Sequence, residues 1–270
     1  MLLTETAFAK INLALHVRHR RDDGYHELET LFAFLDVGDR ITARPAKEDS
    51  LQVLGEFARA LDDPFDNLVM RALGAMPRSE GLAVTLEKNL PVAAGLGGGS
   101  ADAGAIFRLV AHHYGTREDI MERAAKLGAD VPACVASIAQ VGRGTGTQLR
   151  RANNDWEGMP VLLVNPRVPL ATGPVFAAWN GKDRGPLPQG KVSDIARAGR
   201  NDLETPAIAL VPEIGELLAT LGGTNPLLAR MSGSGATCFA IFHTQEAVRG
   251  AMDRVARLHP SWWQMPGRLR

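Results

Sequence analysis

Five groups of residues in this sequence have types and spacing suited to chemistry. The first is Pro91-Val92-Ala93-Ala94-Gly95-Leu96-Gly97-Gly98-Gly99-Ser100-Ala101, a run too rich in glycine for regular structure. Phosphate oxygens are held well by backbone N–H groups that converge on one point, and side chains obstruct that approach, so glycine is favoured. A helix that begins directly afterwards adds its own N–H groups and the positive end of its dipole. The run lacks the G-x-x-x-x-G-K-[ST] pattern of the ATPase loop, and Ser100 stands where the dinucleotide fingerprint needs its last glycine. A flexible glycine turn that binds nothing is the plain alternative.

The second group is Gly128-Ala129-Asp130-Val131-Pro132, a carboxylate between a helix end and an apolar segment. Asp130 reads either as a capping or turn aspartate or as a base that accepts the proton of an attacking hydroxyl. The third is Lys10 in Ala9-Lys10-Ile11-Asn12-Leu13, on the opposite face of a strand from Ile11 and Leu13. It reads as a solvated edge charge, or as a cation that keeps Asp130 ionised and polarises a hydroxyl. The fourth, Asp23-Gly24-Tyr25-His26, sets an aromatic beside a histidine after a turn. Such a pair stacks on a base and hydrogen-bonds its edge, or simply packs the turn. The fifth, Ser232-Gly233-Ser234-Gly235-Ala236, suits the phosphate or substrate end of a site, or a tight turn.

The elements that must position these groups are legible in outline. Residues 6–18 alternate apolar and polar positions, which predicts a strand, and a turn follows through Gly24. Residues 28–35, 39–44, 51–54 and 82–87 read as extended. Residues 67–76 predict a short helix capped by Asp66 or Asn67. A helix is expected from about 101 to 114, with Ala103, Ile106, Phe107, Val110 and Tyr114 on one face. Thr116 is expected to cap the next, which Gly128 ends. A polar stretch over 150–158 marks a domain boundary. Beyond it, 161–164 and 237–242 read as strands, and 201–221 as two helical pieces divided by Pro212. Residues 246–258 read as a helix, and 181–192 as a mobile loop. The second half thus mixes strands with packing helices, an α+β arrangement.

Composition narrows the function classes. Thirty Lys and Arg balance thirty Asp and Glu, so no overall field favours nucleic acid or an anionic membrane. No apolar stretch approaches the length of a membrane span, and the N-terminus lacks the pattern of a signal peptide. Cys134 and Cys238 form neither a disulfide framework nor a zinc spacing. They read as buried core residues of a protein that stays in a reducing cytoplasm.

Together these segments, with Asn201-Asp202-Leu203-Glu204, resemble the GHMP kinases over nearly the whole chain. The resemblance implies an α+β, two-domain GHMP kinase fold. An N-terminal domain like the second domain of ribosomal protein S5 would occupy 1–152, and a ferredoxin-like C-terminal domain 153–270. The lysine-asparagine strand and the Asp-Gly-Tyr-His turn are similar to the branch whose acceptor is a small cytidine-diphosphate-linked sugar alcohol, in the non-mevalonate route to isoprenoid precursors. That resemblance implies ATP as co-substrate with Mg²⁺, Asp130 as base and Lys10 as its support. Pro91 to Ala101 would wrap the ATP phosphates, and Asn67 would lie near the adenine. Tyr25 and Phe176 would sandwich the cytosine, His26 and Asn12 would make polar contacts, and Thr172 would help at the substrate end. No protein residue is assigned to the metal, and no nucleic-acid or membrane partner is expected. The protein would act as a monomer or homodimer. The chain departs from the family at Thr147, where an acid is usual, and at Arg167, where a smaller residue is expected. Three other readings compete: a GHMP kinase for a small aliphatic alcohol, a non-catalytic ATP- or nucleic-acid-binding module, and a dinucleotide oxidoreductase.

Overall fold

The structure is a computed structural model that describes residues 1–60 and 67–270; Asp66, one of the two caps expected for the first helix, lies outside them. The first stretch holds β1 (Leu3–Arg20), β2 (His26–Ala46), β3 (Ser50–Leu54), α1 (Leu68–Ala75), β4 (Gly81–Glu87) and α2 (Gly98–Tyr114). Next come α3 (Ile120–Ala125), α4 (Val131–Ala136), β5 (Gln140–Gly144), β6 (Gln148–Arg151) and β7 (Pro160–Asn165). The chain ends with α5 (Thr172–Ala177), α6 (Val192–Ala198), α7 (Glu204–Leu210), α8 (Glu213–Gly222), β8 (Leu228–Met231), β9 (Cys238–Ile241), α9 (Gln245–Leu258) and β10 (Trp263–Arg268). These form two compact units with interleaved sequence. One comprises residues 1–10, 37–92 and 97–137, the other 11–36, 93–96 and 138–270.

In the first unit β3, β4 and the end of β2 form a sheet in that order, with β3 parallel to β4 and β2 antiparallel to it. β4 alternates strictly, burying Leu82, Val84 and Leu86. Gly38 of β2 lies so close to Ala7 of β1 that a Cβ would sit 1.9 Å from the Ala7 carbonyl oxygen. α1 is capped by Asn67, whose Oδ1 accepts from the Val69 amide at 2.9 Å. α2 starts at Gly98, three residues before the expected start, so the glycine run is partly helical. It is not the one-faced helix the pattern suggested: residues 101–107 are all buried, because α1, α3 and α4 all pack against it. Small residues make that enclosure possible. A Cβ on Gly104 would lie 2.6 Å from the Cys134 carbonyl carbon, so α4 rests on bare α2 backbone. Arg108, one turn along, donates to the Cys134 carbonyl and the Ser137 hydroxyl at 2.6 and 2.8 Å, closing the end of α4. Asp119, rather than Thr116, takes the position before α3, and Arg117 and Arg123 bind its carboxylate.

In the second unit β2 pairs with β5, and β5 with β6, both antiparallel. A separate antiparallel sheet has the order β10-β7-β9-β8. Helices connect its first strand to its second and its third to its fourth, which gives the β-α-β-β-α-β ferredoxin-like plan. Its core joins Leu162, Val164, Cys238, Ala240 and Phe242 to Ile214, Leu217 and Leu221 of α8 and Val248, Ala251 and Val255 of α9. Thr244 caps α9. Pro212 occupies the N-cap of α8 and divides it from α7. The segment expected to be a mobile loop, 181–192, is tethered. Glu29 accepts from the Leu187 amide at 2.6 Å, Arg18 pairs with Asp183 at 2.9 Å, and His16 Nδ1 meets the Gly185 carbonyl at 3.1 Å. Strands β5, β6, β8 and β10 and helices α4, α5 and α6 were not anticipated; all are short, and short runs carry little periodicity.

Gly104→Ala is expected to force α4 off α2 and to lower stability by about 1–3 kcal/mol. A thermal melt against the parent checks this, and an unchanged Tm would contradict the contact.

Candidate active site

Lys10 is inside β1 in the first unit and is 4% exposed. It is therefore no solvated edge charge. A lysine that deep requires a partner, and its Nζ lies 3.1 Å from Asp130 Oδ2. Asp130 occupies the N-cap position of α4, yet its side chain makes no cap bond. It is about one-third exposed, so the pair has a buried cation and an accessible carboxylate. Gly97 closes over this pair. Its φ is +64°, and a Cβ there would meet Lys10 Cε at 2.9 Å, so two independent constraints call for glycine. The first intrahelical bond of α2 runs from the Ala101 amide to the Gly97 carbonyl at 2.7 Å. The amides of Gly98, Gly99 and Ser100 thus precede the helical ladder, which is the donor array an anion needs.

A second buried lysine belongs to the same unit. Lys88 Nζ lies 2.5 Å from Asp39 Oδ2 and 2.7 Å from Asp102 Oδ2, and all three side chains are at most 3% exposed. A Cβ on Gly98 would sit 3.1 Å from this ammonium. Burial opposes the charge on Lys88, but Asp102 and Asp39 outweigh it and raise its pKa. Burial, against the pull of Lys88, pushes Asp102 up to about 7, and Asp39 adds to the push. Sequence reasoning missed this cluster. Its one signal was Asp102 standing among Ala101, Ala103, Ile106 and Phe107 on the helix expected to face the core.

The other expected residues lie in the second unit. Asn12 is buried and donates through Nδ2 to Thr30 Oγ1 at 2.8 Å, while its amide donates to Ser232 Oγ at 3.2 Å. The Ser232 hydroxyl in turn donates to the Gly95 carbonyl at 2.7 Å. Gly95 has φ +77°, and a Cβ there would lie 2.2 Å from the Ser232 carbonyl oxygen. The turn at 232–236 therefore grips residues 93–96 of the glycine run, and the Thr237 amide bonds the Ala94 carbonyl at 3.2 Å. Asn201 secures that turn by donating to the Met231 and Gly233 carbonyls at 2.9 and 2.8 Å. His26 packs on Phe176, with ring centroids 4.9 Å apart, and meets Trp179 edge-on at 5.8 Å. Trp179 was not anticipated; as a single large aromatic just beyond α5, which carries Phe176, it offered only a weak signal. Burial and Arg20 both lower the His26 pKa, which favours the neutral ring at pH 7. Tyr25 is 67% exposed. Thr172 is exposed and meets Ser234 Oγ at 3.0 Å. Arg167 has φ +62°, and its amide donates to Asn165 Oδ1 at 2.7 Å, which explains the expectation of a smaller residue at that turn. Thr147 is exposed, with its hydroxyl 3.5 Å from that of Thr145.

Two family models match, GHMP kinases N terminal domain over residues 67–137 and GHMP kinases C terminal over 187–260. A 4-diphosphocytidyl-2-C-methyl-D-erythritol kinase of Novosphingobium aromaticivorans is 65% identical, covering 100% of this chain and 94% of the relative. One of Erythrobacter litoralis is 59% identical over the full length of both. The chain belongs to the GHMP kinases, in the 4-diphosphocytidyl-2-C-methyl-D-erythritol kinase branch. A crystal structure of 4-(cytidine 5'-diphospho)-2C-methyl-D-erythritol kinase is 33% identical and covers 98% of both chains with a TM-score of 0.82. A homoserine kinase from Cytophaga hutchinsonii, 14% identical with a TM-score of 0.67 over 98% of this chain and 93% of its own, shares the fold. GHMP kinases use ATP as co-substrate; in this GHMP kinase the Lys10–Asp130 pair belongs to the first unit, as does the glycine run except residues 93–96, which belong to the second.

Two variants test this geometry. Gly97→Ala should cost about 1–2 kcal/mol in backbone strain and displace Lys10. Turnover should then fall by at least about tenfold in protein that remains folded by circular dichroism. Asp102→Asn tests the second cluster. A carboxyl whose folded pKa is raised stabilises fully below its ordinary value near 3.8 and loses that stability as pH climbs through about 7. The variant should therefore gain stability over the parent at pH 8, on the order of 2 kcal/mol, and little at pH 4. Thermal melts at both pH values check the sign.

Proposed function

We propose that this protein transfers the γ-phosphoryl group of ATP to the 2-hydroxyl of 4-diphosphocytidyl-2-C-methyl-D-erythritol, a step toward isoprenoid precursors in the cytoplasm. The observation that carries the reading is the ion pair between buried Lys10 and accessible Asp130, beneath the glycine that opens α2. Asp130 orients the acceptor hydroxyl and takes its proton. Lys10 holds that carboxylate in place. The amides ahead of the α2 ladder, in the run Pro91 to Ala101, bind phosphate oxygens and meet the charge that spreads over them in the transition state. Little covalent chemistry falls to the protein, so positioning supplies most of the acceleration.

Specificity rests on the aromatic group. Cytosine stacks on Phe176 with Tyr25 on its other face, and neutral His26 bonds its edge. Trp179 backs His26. Asn12 and Thr172 make the remaining polar contacts to the acceptor, and Asn67 lies at the adenine end. Among the described residues no three His, Cys, Asp or Glu side chains converge to cage a metal. Mg²⁺ would ride on the nucleotide phosphates with much of its water and would neutralise phosphate charge there. No helix among the described residues is long and apolar enough to cross a membrane. The family-model matches at 67–137 and 187–260 fall on either side of the proposed boundary at residue 152, and the acting species is a monomer or homodimer.

ADP release with Mg-ATP is the test, with diphosphocytidyl-methylerythritol, homoserine and mevalonate offered in parallel. Release with the cytidine compound alone, competed by CMP, is expected; release with another alcohol would overturn the roles of Tyr25, His26 and Phe176. Asp130→Asn should lose about a hundredfold to ten-thousandfold in kcat while nucleotide still binds. Near-parental turnover would remove Asp130 from the role of base.

A further inference from the structure

The cluster of Lys88, Asp39 and Asp102 has no part in the reaction as read above, yet it lies against the turn of α2 assigned to phosphate. One ammonium serves two carboxylates in a dry site, which leaves one negative charge unbalanced. The two carboxylates are not equivalent. Asp39 Oδ1 also accepts from the Asn89 and Leu90 amides, at 2.6 and 2.8 Å. Asp102 is bonded by Lys88 and otherwise faces the Asp39 carboxylate, no amide reaches it, and its Oδ1 is buried with no hydrogen-bond partner. Asp102 is therefore the group that takes up the spare proton. It is the fifth residue of α2, so at 1.5 Å per residue it stands about 6 Å along the axis from Gly98.

We propose that Asp102 is a positioning residue whose protonation is coupled to the binding of nucleotide phosphates at the start of α2, so that each state favours the other. An anion gathered at that turn makes a carboxylate one turn behind it harder to ionise. Conversely, an ionised Asp102 weakens the hold on the anion. With the proton in place, Lys88 is balanced by Asp39 alone and the cluster is neutral beneath Gly98. Its midpoint near 7 sets the range where this operates. The other charged groups around α2 do not substitute for it. Asp130 at α4 is paired with Lys10 of β1. The Cys134 thiol of α4 is pushed up by burial and stays neutral. Arg108 of α2 itself is committed to the end of α4. Arg71 of α1 and Glu122 of α3 are on exposed faces, and Arg123 of α3 is paired with Asp119.

The inference rests on the reading of this turn as a phosphate site, and the experiment separates the two. Mg-ADP is titrated calorimetrically into the full chain and into Asp102→Asn, from pH 6 to 8.5, in buffers of different ionisation heat. The parent should take up protons on binding near pH 7. Its affinity should fall about three- to tenfold as pH rises, the equivalent of a half-unit to one-unit upward shift of Asp102 in the complex. Asp102→Asn should lose the proton uptake and that part of the slope; the same uptake in both proteins overturns the proposal. Carboxyl carbon NMR of ¹³C-aspartate-labelled parent gives a second measure that does not need the variant to fold. The Asp102 midpoint should move upward on saturation with Mg-ADP, and an unmoved midpoint overturns the coupling. Failure of Mg-ADP to bind the folded parent at all would overturn the phosphate reading, and the coupling with it.

Discussion

The structure turns on how closely bare backbone approaches two buried ammonium groups at the start of α2. Lys10 presses on Gly97 and Lys88 on Gly98, each near enough to leave little or no room for a Cβ. The dipole of α2 already places positive charge at that end, so two cations beneath it would repel it and each other without compensation. Carboxylates from three elements supply it: Asp130 from α4, Asp39 from β2 and Asp102 from α2 itself. With Asp102 protonated these carboxylates just balance the two ammonium groups, and the free amides at the start of α2 are left as donors in a site with few side chains. In the reading proposed above, those donors meet the nucleotide phosphates. Removing Lys88 would strand two buried carboxylates without a counter-charge, which costs several kcal/mol.

The second unit positions its share of the glycine run by different means. Neutral hydrogen bonds do there what ion pairs do at α2. One fully buried hydroxyl, on Ser232, takes the Asn12 amide and gives to the Gly95 carbonyl. Asn201 spends both its amide protons on the turn that carries it. Such networks specify one arrangement because any unsatisfied member is expensive. The close fit of Gly95 to the Ser232 carbonyl adds a steric lock. The two kinds of support differ in their response to pH: hydroxyls and amides do not titrate in the neutral range, whereas Asp102 does.

The sequence by itself determined the glycine run and the helix after it, because a density of glycine can be explained locally by backbone access. It determined the strand carrying Lys10, a cap at Asp66 or Asn67, and the break at Pro212, each through one residue's dihedral or hydrogen-bonding preference. Family resemblance added the α+β plan and the pairing of Lys10 with Asp130. Tertiary structure decided the rest. Whether Asp130 was a cap or a partner for Lys10 depended on contacts between residues 120 apart in sequence, which no local pattern encodes. The enclosure of α2 on nearly all sides could not be read from a helical period that also fits a one-faced helix; it follows from Gly104 admitting α4. The tethering of 181–192 depended on Glu29 and Arg18 of distant strands. Lys88, Asp39 and Asp102 are unremarkable singly. They become a charge cluster only when folding removes water from all three at once, since desolvation, which shifts their ionisation, is a property of the packed chain and not of any residue in it.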